Sequence, residues 1–272
     1  DKNDFFPTLN LKYTINDANS IRFSASRTIT RPSFIEMAPF LYQESYGSAQ
    51  IRGNADLQNG YNYNIDLRYE LFEKNGDMLS ITAYYKHLKA PIERVQTLSG
   101  GSAVHSFRNA DNGMATGVEI EFRKEIVKDL RFGVNGSYMY TNVKLPEGGA
   151  YTNSQRALQG ASPYLANADL TYSPAFSNDR QLSVALLYNL QGPRIHSVGI
   201  SGLGDIKQQP VHTLNFTGSY RFNRRFAVKL QVNDLLNQDI LFKQEVPTTG
   251  DKVEVERFRK GTGFEVGFSY DL

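Results

Sequence analysis

The sequence predicts an all-β fold, a transmembrane antiparallel up-and-down β-barrel wall of about eleven strands. Three observations carry it. Apolar and polar residues alternate through segments of roughly 9–12 residues, the length a tilted strand needs to cross hydrocarbon and about twice a typical globular strand. Short turns rich in Asn, Asp, Gly and Pro alternate with long polar links. Tyrosine and phenylalanine, 16 and 17 copies, concentrate in the alternating segments, as an interfacial aromatic belt requires.

The first segment sets Leu9, Leu11, Tyr13 and Ile15 against Asn10, Lys12 and Thr14. After the turn NDAN (16–19), Ile21, Phe23 and Ala25 alternate with Arg22, Ser24 and Ser26, and the apolar phase runs on through Arg27, Ile29 and Arg31 to Pro32. The third strand alternates Tyr61, Tyr63, Ile65, Leu67, Tyr69 and Leu71 with Asn62, Asn64, Asp66, Arg68 and Glu70. EKNGD (73–77) turns it into Leu79, Ile81, Ala83 and Tyr85, and Thr116 to Phe122 follow in the same period. The turn at Lys128–Asp129 leads to Phe132–Tyr140, then come Ala166–Tyr172, PAFSND (174–179) and Leu182–Leu190. Leu214–Phe222, the turn NRR (223–225), Phe226–Val232 and Phe264–Leu272 complete the set. The long links fall at about 30–57, 96–113, 144–162, 193–211 and 247–256. The nearest candidate for a helix is DLLNQ (234–238). A soluble sandwich also alternates, but segment length and the short/long rhythm of connections favour lipid, with turns periplasmic and links extracellular.

The second strand tests this orientation. An arginine on the lipid-facing phase costs about 2–4 kcal/mol at mid-membrane but only about 0–1 near the interface. Arg27 stands roughly 20 Å along the strand from its turn. It is therefore expected at the outer headgroup layer, with Arg31 higher and Pro32 ending the ladder. Both arginines are expected to mark the outer interface and to pair with lipid phosphates. The alternative is a bulge near Thr28 that turns Arg31 to the lumen.

Composition narrows the function classes. The net charge of +2, without a basic run, gives no footprint for nucleic acid. Cysteine is absent, so disulfides, thiolate metal sites and cysteine nucleophiles are excluded. His87, His105, His196 and His212 show no metal-ligand spacing, and no metal or cofactor is expected. No apolar run approaches the roughly 20 residues of a membrane helix. A mean hydropathy of −0.44 is compatible with a barrel, whose two strand faces average out. No signal peptide opens the chain, so it reads as starting partway through a longer precursor.

Catalytic arrangements are sparse. There is no HExxH, P-loop or G-x-S-x-G elbow. GISGLGD (199–205) reads as turn glycines, Glu119 and Glu121 as an acidic lumen face, and NADNG (109–113) as a turn. His105-Ser106 and His196-Ser197 would serve a barrel lipase only if serine, histidine and an orienting group converged. No enzyme is expected.

Several stretches resemble the TonB-dependent outer-membrane receptors of the Bacteroidetes type. SRTITRPSFIEMAPF (26–40) resembles the family's arginine-proline exit from a strand into an extracellular loop. RGNADLQNGYNYNIDLRYELF (52–72) is similar to its GNP-L-P segment, with Ala55 and Asn59 in place of two prolines. LQGASPYLANADLTY (158–172), LQVNDLLNQDI (230–240) and GTGFEVGFSYDL (261–272) resemble the re-entry stretch, the segment before the last loop and the closing strand. The resemblance implies that residues 1–272 are the C-terminal part of such a barrel. About eleven strands is half of a 22-stranded plugged barrel, and an open half would leave two edges unpaired in lipid. A plug and N-terminal strands are therefore expected outside this chain; a complete barrel of 10–12 strands is the alternative.

The function that follows is TonB-dependent active uptake of a scarce nutrient across the outer membrane, an iron siderophore, glycan or peptide. A passive porin or adhesin-type barrel is the alternative. The partners implied are outer-membrane lipid, a TonB-type energy-coupling protein acting through the plug, a surface lipoprotein and the nutrient. Ligand contact is expected at the loop tips: Tyr42, Tyr46, Gln50 and Arg52; Tyr151, Gln155 and Arg156; Arg194 and His196. Aromatics with amides suit sugars or peptides, and arginines an anionic chelate.

Overall fold

Eleven strands of 7 to 16 residues form one continuous antiparallel wall in the computed structural model, which describes residues 4–43, 50–99, 102–147, 151–174, 176, 179–200, 202–246 and 248–271. They are β1 (Thr8–Thr14), β2 (Asn19–Thr30), β3 (Gly60–Phe72), β4 (Met78–Lys89), β5 (Asn112–Val127) and β6 (Leu130–Lys144). β7 (Tyr164–Tyr172), β8 (Gln181–Gln191), β9 (Val211–Arg221), β10 (Phe226–Asn233) and β11 (Gly263–Tyr270) follow. Each pairs with the next in sequence, so the wall is a meander with β1 and β11 at its edges.

Side-chain carboxamides and carboxylates shape the turns at one end. Asn16 Oδ1 accepts from the backbone N–H of Ala18 and Asn19 at 3.0 and 2.9 Å. Asn223 Oδ1 does the same for Arg225 and Phe226, both at 2.9 Å. Asp129 takes a positive φ of 65°, which tightens the link between β5 and β6 to two residues.

Chaining the registers puts lipid-phase residues into rows across five strands. Phe23, Leu67, Ala83, Val118 and Tyr138 form one row; Ile21, Tyr69, Ile81, Ile120 and Gly136 form the next. Leu67 is 53 % exposed and Val118 43 %, although both sit mid-strand in a continuous sheet. Large aliphatic side chains bare on one face fit a lipid solvent rather than water. The opposite face carries Asn135, Asn167 and Asn189, linked amide to amide at 2.7 and 2.5 Å. It also carries Glu70, buried between Ser20, Arg22 and Arg68.

Most buried apolar side chains lie in the long connections, not in the wall. Ile51, Val95, Leu145, Ile195, Ile240 and Phe242 are each 6 % exposed or less. These links, legible in the sequence only as polar stretches, fold into a head with its own strands. The hairpin Ile92–Ser99 with Ser102–Asn109 joins Ile51–Arg52 in parallel through Ile51 and His105, and Ile51–Arg52 in turn pairs Leu41–Tyr42. A second sheet orders Arg194–Ser197, Ile206–Gln208, Ile240–Glu245 and Lys252–Phe258. One short helix, Phe34–Met37, is closed by a capping box in which Ser33 and Glu36 serve each other's backbone N–H. The DLLNQ stretch is a turn instead of a helix: Asp234 and Asn237 take positive φ values of 55° and 43°, and Asn237 N donates to Asp234 Oδ1.

Candidate functional site: the head and its rim

The hairpin of residues 92–109 is the piece against which the other loops pack. On one side His105 N donates to Gln50 O at 2.9 Å, and Asn54 Nδ2 donates to Phe107 O at 2.9 Å. Asn109 ties Gln58 and Ala90 through its carboxamide, so NADNG is a structural turn as expected. On the other side Glu93 and Arg156 form an ion pair at 2.9 Å, with side chains 6 % and 3 % exposed. Arg156 Nη1 also donates to Ala157 O, while its Nε and Nη2 are buried without a hydrogen-bond partner. Burial pushes the Glu93 carboxyl above the usual carboxylate range, outweighing the pull of Arg156.

His105 and Ser197, 92 residues apart, meet at 3.4 Å. Arg94 Nε, which can only donate, points at His105 Nδ1 at 2.8 Å. That fixes the proton on Nε2, so the imidazole donates toward Ser197 Oγ. A serine nucleophile needs the opposite polarity, an imidazole lone pair facing the hydroxyl. The contact links two loops and is poorly arranged for nucleophilic chemistry. In GISGLGD, Gly202 takes a φ of 84° and Gly199 N donates to the buried Asp205 carboxylate at 2.8 Å, a turn held by its own side chain.

The ligand candidates separate into groups. Tyr42 stacks edge-on with Phe40 at 6.1 Å and pairs Ile51, next to exposed Arg52 and to Gln50, whose carbonyl accepts from His105 N. Tyr46 lies outside the described residues. Tyr151 packs against Val95, Ala110, Val143 and Leu145 with its hydroxyl buried and unpartnered. Gln155, Arg156 and Arg194 share a cleft of about 620 Å³, and Arg194 and His196 line an adjoining one of about 280 Å³ with Glu93 and Gln159. Gln155 and Arg156 nevertheless face opposite ways: Gln155 pairs Lys144 on the outward phase, and Arg156 pairs Val143 on the inward one. Arg194 Nε donates to Gln208 Oε1 at 2.7 Å, and the His196 ring lies edge-on to Phe242 at 4.7 Å. Glu93, His105 and Ser197, which hold the head together, carry no local sequence pattern of that role. The short helix was also missed, although the Ser33-x-x-Glu36 spacing is a capping-box signal that could have found it.

Arg27 keeps the lipid phase of its strand. β2 pairs β3 without interruption from Asn19 to Thr30, so no bulge intervenes near Thr28. Arg27 stands on the lipid phase in the row of Tyr63 and His87. Its guanidinium lies 4.5 Å from the Tyr61 ring, donates to Phe5 O at 2.9 Å and stands 3.8 Å from Asp4. These contacts let a cation sit among aromatic rings on the lipid phase.

A model of the outer membrane protein β-barrel family matches residues 1–270. No protein of curated function matches the sequence. Among solved structures, a variant of the ferric enterobactin receptor of Pseudomonas aeruginosa aligns with 98% of this chain and 40% of its own, at a TM-score of 0.68 and 18% identity. The siderophore receptor PirA of Acinetobacter baumannii aligns at 0.66 and 16% identity over 98% of this chain and 41% of its own. The ferric yersiniabactin uptake receptor FyuA of Yersinia pestis aligns at 0.64 and 14% over 97% and 37%. The chain thus spans about two-fifths of the length of the solved structures it matches.

Proposed function

The chain belongs to the outer membrane protein β-barrel family, and from that premise we propose that it forms the C-terminal half of a 22-stranded, TonB-dependent receptor that imports a scarce nutrient. The protein resides in the outer membrane, and its family speaks for transport rather than catalysis. The plug, the TonB contact and the remaining strands are part of this reading. The observation that carries ligand capture is the convergence of Arg194 and His196 on adjoining clefts of a head folded from separate loops. The siderophore receptors that share the fold favour an anionic iron chelate, which the Arg194 guanidinium suits, over a glycan or peptide.

Uptake of a ferric chelate by cells carrying the full-length protein tests it. Uptake should require the proton-motive force and fall on Arg194→Ala, which removes a guanidinium from both clefts. Ligand entry that persists after the proton-motive force is collapsed would instead identify a passive barrel.

A further inference from the structure

Above the aromatic rows, the outward face of the wall turns cationic. Asn112 pairs Lys89 on one side and Lys144 on the other, and Lys144 pairs Gln155. Paired residues of adjacent strands share a face, so two ammonium groups alternate with two carboxamides across four neighbouring strands. Neighbours are about 4.8 Å apart, which sets the lysine backbones about 10 Å from each other. All four residues are exposed. Lys89 lies four residues beyond Tyr85, and Lys144 four beyond Tyr140, both tyrosines being bare on the lipid phase. Four residues are about 13 Å of strand, or roughly 10 Å of height at a tilt of about 40°.

That height is where lipid headgroups stand if the tyrosines mark the edge of the hydrocarbon. The 620 Å³ cleft adjoins the ridge: Tyr138, Tyr140 and Gln155 line it along with Arg194 and Lys207. Its carboxylate, Asp205, is occupied by Gly199 N. Arg27 is already engaged by Asp4 and Phe5, whereas Lys89 and Lys144 are exposed on the outward phase.

We infer that Lys89, Asn112, Lys144 and Gln155 form a binding ridge for the phosphate groups of an anionic lipid of the outer leaflet. The lysines supply charge and the carboxamides directional donors, and the tyrosines below seat the upper acyl chain segment. Lys89, Asn112 and Lys144 lie on the outward phase of the wall, and Gln155 joins them to the cleft.

Binding of the full-length protein to nanodiscs of phosphatidylcholine, with and without phosphatidylglycerol, reads the ridge directly and needs no transport. Retention of phosphatidylglycerol should drop roughly 30-fold in K89Q/K144Q, as expected for two surface lysines, and K89R/K144R should restore it. Lys86→Gln, on the lumen phase three strand positions from Lys89, should leave it unchanged. Equal retention by K89Q/K144Q and the parent overturns the inference. So does inorganic phosphate that binds as well as the lipid and displaces it, because the ridge would then be a site for free phosphate.

Discussion

Glu93 and Arg156 show how a single residue pair organises the head. Neither charge reaches water, and the pair ties the 92–109 hairpin to the strand that follows the 145–154 loop. Breaking such a pair leaves one buried charge alone and costs about 3–5 kcal/mol, whereas replacing both by apolar groups of similar volume is often neutral. Glu93→Ala should therefore expose the head to protease, and E93L/R156M should recover most of the protection. The pH dependence has a definite sign. Because the folded head holds the Glu93 proton more firmly than an unfolded chain does, its stability falls as pH rises from the ordinary carboxylate value through the raised one. Asp239, held below its usual range by the Arg259 hydrogen bond, acts oppositely and loses its contribution as pH falls. In proteolysis run across that window, Glu93→Gln should abolish the first slope and leave the second.

The wall strands were legible because lipid on one side and a wet lumen on the other impose a period of two on every residue. Leu9–Ile15 and Phe264–Leu272 announce β1 and β11 within a residue or two of their observed bounds. The head strands were not legible. Ile206–Gln208 and Ile240–Glu245 are short, lie between loops, and gain their partners from distant segments, so no local period marks them. The same limit applies to the site: Arg194 and His196 were found as residue types in a loop, but Glu93 and the contact of His105 with Ser197 exist only through tertiary packing. Glycine within a strand is a further signal with a readable cause. A Cβ on Gly117 would stand 2.5 Å from Tyr138 O and 2.6 Å from the Tyr84 hydroxyl. Tyr84 could swing away, but the carbonyl belongs to the ladder and cannot. Gly117→Ala should destabilise the folded barrel by about 1–3 kcal/mol, visible as a lower temperature of gel-mobility change. Gly267→Ala, whose nearest neighbour is Lys229 Cβ at 3.8 Å, should not.

At the scale of the molecule the wall is one-sided twice over. Its faces differ, so Leu67→Arg at mid-row should cost about 2–4 kcal/mol in bilayer unfolding while Ser24→Arg, on the wet phase, should cost far less. Its edges are also unlike its interior: among the described residues β1 pairs only β2, and β11 pairs only β10. Hydrocarbon has no donors or acceptors for the backbone groups left over, each worth several kcal/mol, so the edges must be paired in the membrane. Two closures are possible: β1 against β11 in a barrel of eleven strands, or further strands between them in one of 22. The absence of cysteine provides a clean background for distinguishing these. Single cysteines placed in pairs, at Asn10 or Lys12 on β1 and at Glu265 or Ser269 on β11, share the inward phase and would lie one strand spacing apart in the small barrel. Some combination should then oxidise to a disulfide in intact outer membranes. In the 22-stranded barrel the same edges are separated by about half the circumference, and no combination should cross-link. The proposed 22-stranded receptor requires that none does so.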